Sequence, residues 1–247
     1  MGFGSLKSVF LKLTSKKVMK MYEKEIRASI EKNIKHSVIS YAQEGEDIIL
    51  NRFLNNKETG FFVDIGAHHP KRFSNTFNFY KKGWRGINID AMPDSMIAFK
   101  KERPEDINLE IGISKTKKEL NYYMFNEPAL NTFSEVEAKR KDGLGTYKII
   151  EKRTVITYPL VAILDKYLGE NQVIDFISID AEGLDLEVIQ SNNWDKYRPT
   201  YVLVEDLKKY ELEELLLSSE LYKTMLSHNY KLVAKTFNTL FFKDVNK

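Results

Sequence analysis

Three apolar runs in this 247-residue chain each stop at an aspartate: FFVD ends on Asp64, GINID on Asp90 and FISID on Asp180. A buried strand that finishes in an acid needs a ligand or a helix cap to satisfy that acid. In an open parallel sheet, ligands bind outside the carboxyl ends of the strands where the strand order reverses, so the pattern predicts that the three acids converge on one cleft. Gly66 lets backbone approach a ligand at the first turn, and Asp64 can accept hydrogen bonds from an amine or from loop amides. Asp90 follows about one strand–helix–strand unit later, where an acid takes the two hydroxyls of a ribose. The first turn reads DIGAHHP and lacks the three glycines that wrap a pyrophosphate. S-adenosylmethionine, an adenosine cofactor without phosphates, therefore suits it better than a nicotinamide dinucleotide.

The elements that must hold these acids alternate short apolar runs with helical stretches, the pattern of βαβ units around a mainly parallel sheet. Residues 60–66 read as the first strand and 86–90 as the second, with a crossover helix between them that ends near Gly83. Residues 107–114 read as a third strand, 119–125 as a polar and aromatic strand at an edge or in an insertion, and 126–153 as a charged loop or lid. VAILDKYLG is helical, 173–180 and 200–206 are strands buried on both faces, and the chain closes on a hairpin with Asn238 near its turn. Residues 1–38 read as a basic, moderately amphipathic helical segment, a solvated face or an oligomer contact, or a means of peripheral docking on an anionic membrane; 39–247 form the main domain.

Composition excludes several classes. There is no cysteine, hence no disulfide, thiolate metal site or cysteine nucleophile. Lys and Arg number 38 against 35 acids, too near balance to indicate nucleic acid. No run is long and apolar enough for a membrane-spanning helix, and no signal peptide is evident, so a soluble cytoplasmic protein is expected.

Taken together, SYAQEGEDIIL, FFVDIGAHHPKRFSNT, GWRGINIDAMP, IGISK, FISIDAEGLDLEVI and YVLVED resemble, in order, the FkbM-type S-adenosylmethionine-dependent methyltransferases over residues 40–243. The resemblance implies a class I methyltransferase (Rossmann-like) α/β fold. Its mostly parallel seven-stranded sheet would carry helices on both faces and an antiparallel C-terminal hairpin. It implies that Asp64, Gly66 and Ala67 hold the methionine part of the cofactor, Asp90 the ribose, Ala91 and Met92 the adenine, with Ile111, Gly112 and Ile113 beneath the adenine edge. Gln43, in the entry motif, and Ser74 or Asn75 would reach the amino-acid end, although Ser74 also suits a helix cap.

Members of such a family mostly methylate hydroxyl groups, so O-methyl transfer to a sugar, nucleotide-linked or in a bacterial polysaccharide precursor, is what the resemblance implies. The acceptor must be aligned and its proton removed. Asp180 and Glu182, just past a strand that should face the methyl group, are candidates for that base, as are His68 and His69, whose imidazoles titrate near neutrality. A divalent cation held with Glu205 or Asp206 is an alternative, but no dedicated metal motif is present and no metal is expected. Lys71, Arg72 and Arg85 are expected at the cleft mouth, either recognising phosphate or as a solvated rim. Asn131 and Thr132 are candidate acceptor contacts. A nicotinamide-type oxidoreductase, or a non-catalytic binding protein on the same fold, is the competing reading.

Overall fold

The computed structural model describes residues 18–27, 35–181, 183–206, 208 and 211–247. The chain forms two units, Met1–Ile39 and Ser40–Lys247. In the first, residues 18–27 are helical; the rest of the helix expected over 1–38 lies largely outside the described residues. No helix among the described residues is long and apolar enough to cross a membrane.

The second unit is built on two sheets. Its strands are β1 (Phe61–Ile65), β2 (Arg85–Asp90), β3 (Ile107–Glu110), β4 (Gly112–Ile113), β5 (Lys118–Phe125), β6 (Ile149–Tyr158), β7 (Phe176–Ile179), β8 (Tyr201–Glu205), β9 (Tyr230–Lys235) and β10 (Thr239–Asp244). Its helices are α1 (Glu46–Phe53), α2 (Phe77–Lys81), α3 (Ser95–Glu102), α4 (Glu135–Lys141), α5 (Leu160–Tyr167), α6 (Asp185–Gln190), α7 (Leu212–Ser218) and α8 (Glu220–Ser227). The main sheet has seven strands in the order β3-β2-β1-β7-β8-β10-β9. Its first five strands are mutually parallel and β10 runs antiparallel to both β8 and β9. This is the class I methyltransferase sheet, hairpin included.

Strand periodicity sorts side chains between two cores. Val63, Ile65, Ile87, Ile89, Ile177, Ile179, Val202 and Val204 pack with Leu160, Leu164 and Val188 in one layer. Phe62, Trp84, Phe176, Leu203 and Phe241 pack with Phe79 in the other. Near the carboxyl ends of the strands, the register partners Asn108, Asn88, Asp64 and Ser178 form a polar row across four strands. The chain moves outward from β1 to β3, then returns to β7 on the other side of β1. The reversal point, between β1 and β7, is where the cleft opens.

Two expectations about elements change. The strand expected over 107–114 divides at Ile111: β3 stays in the main sheet, while β4 joins a second sheet of order β4-β6-β5. The switch is local to Gly112, where a Cβ would come within 2.7 Å of the Thr157 side chain on β6, so only glycine allows the close pairing. The segment 126–153 is not a loop. It contains a 3-10 turn at Pro128–Leu130, helix α4 and the first half of β6. Its many charges are solvated faces of an ordered insertion, with Lys139 paired to Glu135 and Arg140 to Glu137.

Candidate active site

A cleft of about 550 Å³ lies over the carboxyl ends of the strands, within the usual range for a small-molecule site. Gln43, Gly66, His68, Asp90, Ala91, Met92, Gly112, Ile113, Asp180 and Glu205 line it, and the insertion supplies another wall through Tyr122, Leu130, Asn131, Phe133 and α4.

Asp90 ties the first two strand ends together. Its Oδ2 accepts the backbone N–H of His68 at 2.7 Å and its Oδ1 that of Met92 at 2.7 Å. Burial pushes its pKa up to about 6 even though both bonds favour the charged form. Two oxygens offer about four acceptor sites, so two remain for a diol after the two amides are served. Gly66 has φ +78°, and a Cβ there would stand 1.7 Å from the carbonyl oxygen of Asp180. Bare backbone is thus what brings the β1 and β7 ends side by side. Ile89, Met92, Ile111 and Ile113 give an apolar floor beside Asp90, suited to a purine face.

The histidine pair separates. His69 is exposed, and its Nδ1 accepts the backbone N–H groups of Lys71 and Arg72 at 3.1 and 3.0 Å, which shapes the turn. His68 lines the cleft, stacks on Phe73 with ring centroids 6.2 Å apart and has φ +52°. That left-handed conformation costs roughly 1–2 kcal/mol outside glycine, and the Asp90 hydrogen bond holds it. Its Nε2 is buried without a partner. Burial, then the charge of Arg72, lowers the His68 pKa, so the ring is neutral at pH 7.

Asp180 and Glu205, at the ends of adjacent parallel strands, hydrogen-bond through their carboxyls. Two carboxyl oxygens make such a bond only by sharing a proton. Burial first, and the neighbouring Asp185 carboxylate second, push the Asp180 pKa up to about 7, and its Oδ1 is buried without a partner. Asp185, which is not among the residues expected at the site, organises the loop: its carboxylate accepts the N–H groups of Ala181 at 2.7 Å and Gly183 at 3.2 Å. An aspartate at the first turn of α6 was the available signal. Glu182 lies outside the described residues. Among those described, no three His, Cys, Asp or Glu side chains group as a metal site, and Asp206 accepts the Ser219 hydroxyl instead of joining Glu205.

Several expected site residues do not line the cleft. Asp64 lies one residue short of the end of β1, level with Asn88 and Ser178 and so two residues below Asp90 and Asp180, and accepts the Thr76 hydroxyl at 2.6 Å. Thr76 also accepts from Arg103, and Arg103 pairs with Asp106 at 2.8 Å, both side chains fully buried. Ser74 accepts the Phe77 N–H, the first of α2, at 3.1 Å from two residues before the N-cap Thr76. Ala67 packs on Met96 and Phe99. Asn75 donates to Ser178 at 3.0 Å, in a small notch beside the cleft that Gln43, Asp180 and Glu205 share. Asn131 lines the cleft with its Oδ1 accepting the Phe125 N–H, whereas Thr132 pairs through backbone with Tyr123. The basic residues expected at the mouth do not line the cleft: Lys71 pairs with Glu102, Arg72 with Glu127 and Arg85 with Glu105. Arg85 opens β2, five residues and roughly 16 Å of strand before Asp90. The cations that do line the cleft are Arg140 and Lys141.

Gln43 is placed by the segment before α1. Asp47 accepts the Ser40 hydroxyl at 2.6 Å, the Tyr41 N–H at 2.9 Å and the Asn78 side-chain amide at 2.5 Å, folding 40–47 over the strand ends. Glu46 accepts the Thr239 hydroxyl, and Glu44 the Asn238 N–H, which fasten the same segment to the terminal hairpin.

No curated protein sequence matches the chain. Among solved structures it is similar to a TehB-like SAM-dependent methyltransferase from Corynebacterium glutamicum, at 9% identity and a TM-score of 0.36, covering 91% of this chain and 99% of that one. The model of the methyltransferase FkbM domain matches residues 64–232, more than half of the sequence. That span holds all three strand-end aspartates, and it decides between methyl transfer and nicotinamide chemistry: the chain belongs to the FkbM methyltransferase family.

Proposed function

We propose that the chain transfers a methyl group from S-adenosylmethionine to a hydroxyl of a small acceptor, a sugar that is nucleotide-linked or part of a polysaccharide precursor, in the cytoplasm. The observation that carries the reading is the carboxyl pair Asp180 and Glu205, which follow the register partners Ile179 and Val204 on adjacent parallel strands and both line the adenosine-sized cleft. A hydroxyl must lose its proton as it is methylated, and a carboxyl with a pKa of about 7 is matched to that task.

The residues suit the cofactor. Asp90 has acceptor capacity left for the ribose hydroxyls, Ala91, Met92, Gly112 and Ile113 flank the purine, and the backbone of the Gly66 turn, which lines the cleft, is open to the methionine part. Gln43 and Asn75 stand at the notch where the amino-acid end would reach. Asp64, Ala67 and Ser74 act indirectly, fixing the turn from behind. When bound, the sulfonium supplies the electrophilic methyl group. The chain's own work is to align the acceptor oxygen with it and to receive the proton on Asp180, whose negative charge is neutralised as that proton arrives. Asp180 is the base in this reading. His68 closes the cleft beside Asp90, and Asp185 holds the backbone of Ala181 and Gly183 after Asp180.

The test is to incubate the protein with S-adenosylmethionine and a panel of sugars and nucleotide sugars, and to look by mass for one added methyl. A product that gains its methyl on oxygen, formed by wild type and lost in Asp180→Asn, is expected. Methylation of an amine or a nucleobase in place of a hydroxyl would overturn the reading.

A further inference from the structure

Aromatic rings line the cleft in two places. Phe73 lines both the cleft and the notch that holds Asn75 and Ser178, beside Asp180 and Glu205. Tyr122 and Phe133 line the cleft from the insertion. A sulfonium, a ribose diol and an acceptor proton account for the acids of the site, and they leave this second aromatic pair unexplained.

Register brings the two rings together. Thr132 and Tyr123 exchange both backbone hydrogen bonds, at 2.9 and 3.1 Å, as an antiparallel bridge. The next residues along, Tyr122 and Phe133, therefore stand opposite each other, and their side chains take the other face from those of the bridge. Tyr123 packs with Phe125 and Ala138 inside the insertion. Tyr122 and Phe133 turn to the cleft instead, with ring centroids 4.6 Å apart and planes at 47°. Tyr122 is buried and backs its neighbour, whereas Phe133 keeps part of its ring open.

That open ring stands at one end of the cleft. A Cβ on Gly112 would lie 3.1 Å from Phe133 Cζ, so the tip of the ring reaches the bare backbone of β4. Gly112 is held there by pairing with Thr157 on β6. Ile89, Met92, Ile111 and Ile113, the apolar floor beside Asp90, line the same cleft. A flat ligand entering between this floor and an aromatic ring gains stacking, which every nucleobase can supply through its π face.

We infer that Phe133, backed by Tyr122, stacks on the purine of the cofactor, so that the insertion supplies the aromatic face at the adenosine end of the cleft. This inference rests on the methyltransferase reading above. It makes Phe133 a cofactor residue, in the segment where Asn131 and Thr132 were expected to meet the acceptor.

Calorimetry on the full chain tests it with S-adenosylhomocysteine and with 5′-methylthioadenosine, which keeps the adenosine and lacks the amino-acid end. Phe133→Leu removes the ring and keeps an apolar side chain; it should weaken both ligands about tenfold and by the same factor, while Phe133→Tyr should stay within about twofold of wild type. Hypochromism of the adenine absorption band on binding, the mark of a stacked base, should appear in wild type and Phe133→Tyr and shrink in Phe133→Leu. A ring that only packed the insertion would not produce that difference. Unchanged affinities in Phe133→Leu overturn this inference alone, since the ring would then serve the acceptor. A loss confined to S-adenosylhomocysteine, or a wild type that binds it and not 5′-methylthioadenosine, also overturns it, because the affinity would then come from the amino-acid end. If S-adenosylhomocysteine itself fails to bind wild type, the methyltransferase reading falls with it.

Discussion

Residue by residue, the fold separates groups that the sequence presents as equals. Asp64, Asp90 and Asp180 all end apolar runs, yet Asp64 stands two residues lower in the sheet, level with Asn88 and Ser178 and bonded to Thr76, while Asp90 and Asp180 reach past the strand ends and line the cleft. Asp180→Asn and Glu205→Gln should each lower kcat by about 10²- to 10⁴-fold with cofactor affinity within a few-fold, as read by steady-state kinetics beside calorimetry. The pH dependence follows from the raised Asp180 pKa. The base works deprotonated, so kcat/KM should rise with pH and level off above about 7. In the loaded enzyme the sulfonium favours the carboxylate, so the rise in kcat should sit at lower pH than that in kcat/KM. His68→Gln should keep this limb, because burial already holds His68 neutral in that range. His69→Gln should keep it too, with a modest loss of cofactor affinity from a loosened turn. A limb that vanished with His68 and survived in Asp180→Asn would reassign the base.

At the scale of elements, the buried set behind the cleft positions β1. Arg103 joins Thr76 and Asp106, Thr76 joins Asp64, and Asn88 donates to Asp106 at 3.1 Å. Arg103→Met would leave Asp106 charged and buried without its partner, a change that costs about 3–5 kcal/mol, measurable as a lowered urea midpoint. The sequence shows the strands and the strand-end acids well, because period-two apolar runs and abrupt acids are local signals. It hides this network, since Arg103 and Asp106 read as an ordinary surface pair and only the fold buries them. It hides the insertion for a related reason. A helix whose exposed faces are charged and a strand with exposed residues at 150–154 look like a loop until β5 and β6 are paired. Asn131 illustrates the mixture: legible as a cleft residue, but its bond to the Phe125 N–H depends on a turn of 3-10 helix that composition does not announce.

At the scale of the whole molecule, five carboxyls, Asp64, Asp90, Asp106, Asp180 and Asp185, have pKa values raised by burial. The folded state therefore binds more protons than the unfolded chain, whose aspartates titrate at about 3.9. A raised folded pKa contributes stability that is complete below the unfolded value and lost as pH rises through the folded one. The contribution of these carboxyls to the stability of the cofactor-free protein should thus decline from about pH 4, most steeply near pH 5 where Asp90 and Asp180 are both still protonated in the folded state, and level off above about 7; Asp180→Asn should flatten the decline, above all between pH 6 and 7, and urea titrations from pH 4 to 8 measure it. Ligand binding works in the other direction. S-adenosylhomocysteine at 100 times its Kd adds about 2.7 kcal/mol, which for a chain of this size raises Tm by about 5–10 °C. The most direct test of the central claim is calorimetric titration with S-adenosylmethionine of wild type and of Asp90→Asn. The account predicts one molecule bound per chain in the wild type and at least tenfold weaker binding in the variant; no saturable binding, or binding indifferent to Asp90, would contradict it.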